Sequence, residues 1–242
     1  MIKLFEENER LHKKASEILK ALGEIKKSQN FILKNATESE KIQEFADKLA
    51  ASTLKNIKHE KAPNEKLRFI DAITPEGHTV FENSIKKYEA KNIYIIEDKH
   101  EIISSQILQK IRSEALGRNI DIVSFPHPMS PEKHLRAIYL PEVSAVFAMK
   151  NPKTEPNLFK NLKNAKKISA TKFLKLATLK PHKNLLGLYE KISAELLNQI
   201  TENLSLALKN HDKIEETYIS AMNHKKVNKI ADKLISAIFV KS

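Results

Sequence analysis

Three groups of side chains in this sequence have types and spacings that chemistry can use. His211 and Glu215 stand four apart, with Asp212 between them, so on a helix the imidazole and the Glu215 carboxylate share one face. That is part of a metal site, which needs a third or fourth ligand placed by the fold. The plainer expectation is a surface His–Glu pair. His127 and His134 flank a proline-rich stretch, Phe125-Pro126-His127-Pro128-Met129-Ser130-Pro131. Histidine is the usual general base, and the stretch follows an expected strand, where open α/β sheets place ligand crevices. No motif sets a serine or carboxylate beside either imidazole, so a rigid loop is expected there. The third group is basic. In residues 157–180, Lys160, Lys163, Lys166, Lys167, Lys172 and Lys175 are expected to lie on a helix opposite Leu158, Leu162 and Phe173. Such a face suits nucleic-acid phosphates or an anionic membrane. Aromatic residues for base stacking are nearly missing from it, and a solvated helix face over the sheet is the competing reading.

Composition narrows these choices. The chain has 242 residues, 42 of them Lys or Arg against 30 Asp or Glu, for a formal charge of +12. Only five basic residues are arginines: Arg10, Arg68, Arg112, Arg118 and Arg136. The excess is uneven. Residues 67–150 are neutral and residues 151–181 carry +7, with Glu155 as the one acid. Charge therefore points to one basic segment and not to a whole nucleic-acid-binding surface. With 41% hydrophobic and 30% charged residues, the composition is that of a globular chain. Zero cysteine excludes disulfides, thiolate metal sites and thiol nucleophiles. The charged start MIKLFEENERLHKK predicts no signal peptide, and no apolar run reaches the length of a membrane span; a cytoplasmic protein is expected.

The elements that must position these residues follow from periodicity. Leu4, Leu11, Ala15, Ile18, Leu22 and Ile25 recur at helical spacing. A break at Asn35-Ala36-Thr37 precedes a second helix, with Thr37 as the expected cap and Ile42, Phe45, Ala46 and Leu49 inward. Residues 58–66 read as a linker. Strands are expected at 67–74, 92–97, 121–125, 137–140 and 143–148, with a helix at 104–116 ended by Gly117. Strands alternating with helices predict a parallel, covered sheet. Helix returns over 184–240. A shift of 185 positions sets Ala46-Asp47-Lys48-Leu49 on Ala231-Asp232-Lys233-Leu234, Ile42 on Val227 and Phe45 on Ile230. The two chain ends are therefore expected to be copies of one helical unit.

Four stretches carry a resemblance. They are Leu67-Arg68-Phe69-Ile70-Asp71-Ala72-Ile73-Thr74-Pro75-Glu76-Gly77, Asn92-Ile93-Tyr94-Ile95-Ile96, Ile138-Tyr139-Leu140-Pro141-Glu142-Val143, and His211-Asp212 followed by Glu215 and Tyr218. In order and spacing they resemble a poorly characterised bacterial family of tandem P-loop ATPase-like proteins. The resemblance implies an α/β fold: a P-loop NTPase-like parallel sheet covered by long helices from both chain ends. It divides the chain into a helical hairpin at 1–57 (the tail of a lost preceding repeat), a core at 67–150, a Lys-rich connection at 151–181 and a helical tail at 182–242 that packs with the core.

This chain departs from that family where phosphate chemistry would sit. A phosphate loop needs glycines that turn N–H groups inward, a lysine for the outer phosphates and a hydroxyl for Mg²⁺. Here strand 92–97 runs on as Asp98-Lys99-His100-Glu101-Ile102-Ile103-Ser104-Ser105, without glycine. The resemblance thus implies a vestigial nucleotide loop at Asp98, Lys99, His100, Ser104 and Ser105. No cofactor is expected, and ATP with Mg²⁺ through an unorthodox loop is the alternative. The leading expectation is a non-catalytic, degenerate ATPase-like protein acting through a protein partner, either an intact family member or a second copy. A binder of nucleic acid or anionic membrane through 157–180 is the third reading.

Overall fold

The structure, a computed structural model, describes residues 2–130, 134–160, 162 and 164–239. In chain order the elements are α1 (Ile2–Ala36), α2 (Ser39–Leu54), β1 (Glu65–Leu67), β2 (Asp71–Thr74), β3 (Gly77–Val80), α3 (Glu82–Lys86), β4 (Asn92–Glu97) and α4 (Ile102–Gly117). They continue with β5 (Ile122–Pro126), β6 (Leu135–Leu140), β7 (Ala145–Lys150), β8 (Ala165–Ser169), α5 (Leu176–Leu179), α6 (Lys183–Ala221) and α7 (His224–Phe239).

Six strands form one sheet in the order β1-β5-β6-β7-β4-β8. The pairs β1–β5, β7–β4 and β4–β8 are parallel, whereas β6 runs antiparallel to both neighbours. The chain is thus α/β with a mostly parallel sheet, and the expected all-parallel order fails at one strand. Only Pro141-Glu142-Val143-Ser144 joins β6 to β7, too short for the crossover that parallel neighbours require. Ser144 turns the corner in the left-handed region, at φ 48°.

Two further expectations need correction. The stretch 67–74 is not one strand. Its first part ends the edge strand β1, and its second part forms β2, which pairs with β3 in a separate hairpin. The turn Thr74-Pro75-Glu76-Gly77 closes that hairpin, with Gly77 at φ 107°, a conformation that favours glycine. Nor do residues 157–180 form a basic helix. Residues 165–169 become β8, which takes the free edge of β4 and buries Ile168, so the sheet extends past the expected boundary at 150.

One face of the sheet is covered by α4 and α2. Ile42, Ala46, Ala50 and Leu54 of α2 join Ile103, Ile107 and Ile111 of α4 and Ile96, Ile138 and Phe147 of the sheet in one core. Burying a side chain such as Ile42 or Leu54 completely contributes about 1.5–3 kcal/mol. The other face packs Ile95, Phe125 and Val146 against Ile70, Ile85 and Phe159. The two long helices do not lie over the sheet faces. Instead α1 packs along α6, with Ala15, Leu22 and Ile200 at the seam and Phe5 against Tyr218 farther along. Thus α1 and α2 take different partners and do not close on each other as a hairpin. Thr37 does not cap α2; its hydroxyl donates to the Lys34 carbonyl at 2.9 Å. The corner is pinned from elsewhere, because Glu38 N–H donates to Phe173 O and Lys175 N–H to Ala36 O. At the other end α6 reaches the β2–β3 hairpin, and every residue of α7 is exposed.

Candidate functional site at the carboxyl ends of the strands

Strands β4, β5 and β7 point the same way, and their carboxyl ends converge below α1. There β4 passes through Asp98-Lys99-His100-Glu101 into α4. The first N–H groups of a helix have no partner within it. In this chain Asp98, 1% exposed, supplies one. Its Oδ2 accepts from Ile103 N–H at 2.8 Å, Ser104 N–H at 2.9 Å and the Ser104 hydroxyl at 3.1 Å; its Oδ1 accepts from His100 N–H at 3.0 Å. A carboxylate of the chain itself thus occupies the place where a phosphate loop would present donors to a nucleotide. Glu101 carries the sharp turn into the helix at φ 63°.

The five residues of the expected nucleotide loop lie together at this junction, but they face different ways. Lys99 reaches out to Glu190 on α6 at 2.7 Å. Ser104 bonds Asp98. Ser105 Oγ lies 2.6 Å from His134 Nδ1, the serine neighbour that no sequence motif had placed beside a histidine. Acyl chemistry at that pair would need backbone donors for an oxyanion, and the helix-end donors nearest in sequence, on Ile103 and Ser104, are bonded to Asp98.

Above the loop a cavity of about 500 Å³ opens between α1 and the strand ends, lined by Leu19, Gly23 and Lys26 from α1 and by His100, Glu101, His127 and Met149. Burial raises the affinity of Glu101 for its proton, but Lys26 at 3.2 Å, His127 and Arg136 outweigh it and hold the carboxyl at about 2. Burial pushes His127 down to about 4 against the opposing pull of Glu101 and Asp71. Its ring accepts at Nδ1 from Met129 N–H at 3.3 Å, leaving Nε2 toward Glu101 at 3.8 Å. His100 is also lowered, by burial and then by Lys99. Near neutral pH the cavity therefore holds an ionised carboxylate beside neutral imidazoles.

Behind it runs a chain of buried charges that periodicity did not reveal. Asn151 donates from Nδ2 to Glu101 at 3.4 Å, and its N–H donates to Glu155 at 3.0 Å. Glu155 pairs with Arg136, whose Nε lies 3.2 Å from Asp71 Oδ2; His78 Nε2 donates to the same Asp71 oxygen at 3.0 Å. Arg136 is 1% exposed and Asp71 likewise. One signal in the sequence pointed here: a chain that otherwise spends lysine places a rare arginine inside the apolar strand Leu135-Arg136-Ala137-Ile138. Arg forms the fork that paired carboxylates need.

The remaining expected residues are dispersed. His211 and Glu215 form an exposed pair at 3.4 Å on α6. Among the described residues no group of three or more His, Asp or Glu is gathered as a metal ion would need. Lys163 lies outside the described residues. Lys160 donates to Asn157 at 3.1 Å, Lys166 sits 5.1 Å over the Tyr94 ring and Lys172 4.0 Å over that of Phe45. Lys166 and Lys167 are neighbours on a strand and so point to opposite faces, while Lys175 stands between the corner at Ala36 and α5. These lysines do not share one helical face. No helix among the described residues is long and apolar enough to cross a membrane.

Compared with protein-family models, curated proteins and solved structures, the chain has no match.

Proposed function

We propose that this chain is a non-catalytic protein of degenerate P-loop ATPase-like build that acts through protein contact. The observation that carries the reading is α7. Its Val227, Ile230, Leu234, Ile235 and Ile238 make an apolar stripe at helical spacing, each about half exposed or more, and a stripe of that kind marks an interaction surface. The loop at Asp98 argues against the nucleotide alternative, because phosphate would have to displace a buried carboxylate that already makes four hydrogen bonds. Charge-assisted contacts of that sort contribute about 1.5–3 kcal/mol each. The scattered lysines of 157–180 lend the polyanion reading no continuous surface.

Two measurements test the proposal. Calorimetric titration with Mg-ATP is expected to give no heat of binding; micromolar affinity lost in Ser105→Ala would restore the nucleotide reading. Sedimentation velocity from low to high micromolar chain is expected to show association that Ile230→Glu/Leu234→Glu abolishes. A monomer at every concentration, unchanged by that pair of substitutions, sinks the contact reading.

A further inference from the structure

The bounds of the terminal helices repeat at one fixed offset. α1 ends at Ala36 and α6 at Ala221; α2 covers Ser39–Leu54 and α7 covers His224–Phe239. The end of the long helix and the start of the short one are each 185 positions apart, the same shift that superimposes Ala46-Asp47-Lys48-Leu49 on Ala231-Asp232-Lys233-Leu234. Yet the two short helices differ in circumstance. α2 is seated on α4, with Ile42 and Ala46 fully buried and Asp47 in an ion pair with Lys110 of α4 at 3.0 Å. α7, with Val227 and Ala231 at those positions, is exposed along its whole length.

From this we infer that α7 is a copy of α2 and docks as α2 does, on the α4 face of a second copy of this chain, with Asp232 reaching that copy's Lys110. The inference rests on the contact reading above and names the surface that answers it.

Three observations favour that occupant. The apolar positions of α2 that face α4 are apolar in α7, and the acid that pairs with Lys110 is retained. The positions that differ in charge lie on the solvent side: exposed Glu40 and Glu44 of α2 become Lys225 and Lys229.

Docking exchanges one helix for the other, and the difference between their apolar faces works toward α7, against the cost of association. It brings Ile235, Ile238 and Phe239 where α2 has Ala50, Thr53 and Leu54, so seating α7 buries the larger apolar face and releases the smaller. Ile235 needs more room than Ala50, so the seat must open there. Copies joined in this way run head to tail.

The chain has no cysteine of its own, so a pair of single cysteines reports the docking directly. A Lys110→Cys chain is mixed with a tagged Asp232→Cys chain under mild oxidation, and the disulfide-linked heterodimer is measured on a non-reducing gel. The control replaces Lys110→Cys by Lys61→Cys, an exposed loop position. The expected yield is about tenfold above the control, and Ile230→Glu/Leu234→Glu in the tagged chain removes the excess, as loss of a central apolar anchor should. A yield equal to the control overturns the inference. If sedimentation still shows association through α7, the contact reading stands and only the α4 seat is lost. A double variant, Lys110→Cys/Asp232→Cys, that closes solely within monomers also overturns docking on a second copy. So does binding of α7 to phosphatidylserine vesicles without heterodimer, which would assign the face to a membrane.

Discussion

The Oδ2 atom of Asp98 accepts the Ser104 N–H at 2.9 Å, and with it the first turn of α4 is closed from inside the chain. A carboxylate at a helix N-terminus is favoured by the helix dipole as well as by the hydrogen bonds. The pairing therefore stabilises the β4–α4 junction while occupying donors that an incoming anion would use. Asp98→Ala is expected to destabilise the chain by about 2–4 kcal/mol, since it strips several donors of a charged acceptor. Asp98→Asn, which keeps acceptor oxygen but loses charge, should cost about half as much. Urea unfolding checks both; a change within experimental error in either would remove Asp98 from the stability of the junction.

Arg136 joins Asp71 and Glu155 in the interior. Arg136→Met leaves two buried carboxylates without their cation and is expected to cost about 3–5 kcal/mol. The triple change Arg136→Met/Asp71→Leu/Glu155→Leu should recover much of that loss, because removing every charge also removes the desolvation penalty. Thermal and urea unfolding of the two variants decide the matter. If the single change is harmless, the network does not hold the strand ends together.

Stability is expected to depend on pH through His127. Its folded value, about 4, lies below its ordinary 6.5, so the unfolded chain binds the proton first. The contribution is fully present above pH 6.5 and is lost as pH falls through 4, amounting to about 3 kcal/mol. Glu101, held at about 2 against an ordinary 4.5, adds a further loss between those lower limits. His127→Gln should flatten the decline between pH 6.5 and 4 and shrink the lower one without abolishing it, because Lys26 and Arg136 still hold Glu101 down. Urea midpoints measured across pH would show both; an unaltered profile in the variant removes His127 from the balance.

Ile42 and Ile230 test what packing does to the two short helices α2 and α7. Ile42 is fully buried under α4 and Ile230 is 56% exposed. Ile42→Ala is expected to cost about 2–5 kcal/mol, whereas Ile230→Ala should stay within about 0.5 kcal/mol for the dilute chain. The comparison belongs at low concentration, where association does not contribute. A large loss in Ile230→Ala under those conditions would show that α7 is seated on its own chain.

Much of the element order was legible in the sequence because burial imposes a period. Strand 92–97 and the helix around 104–116 appear where a short β-branched and aromatic run and a helical pattern place them. Residues 165–169 were misread for a physical reason. Ala165-Lys166-Lys167-Ile168 reads as the edge of a helix, because its lysines are as acceptable on an edge strand as on a solvated helix. What made it a strand was the unfilled edge of β4, a partner more than sixty residues away. Of the site, the loop at Asp98 and the flanking histidines could be picked out by position. Of the Asp71–Arg136–Glu155 cluster only Arg136 stood out, as an arginine inside an apolar strand; its carboxylate partners did not, since charged residues are read as exposed unless their partners are known.

By itself the sequence determined the helical ends, the lack of phosphate-loop glycines and the placing of positive charge beyond residue 150, because these depend on local residue type and spacing. Only the tertiary structure decided that Asp98 turns inward to cap α4, that a neutral His127 faces an ionised Glu101, and that α2 is covered while α7 is bare. Each of those facts is a relation between distant segments, set by which surfaces meet when the chain closes, and residue type alone does not carry it.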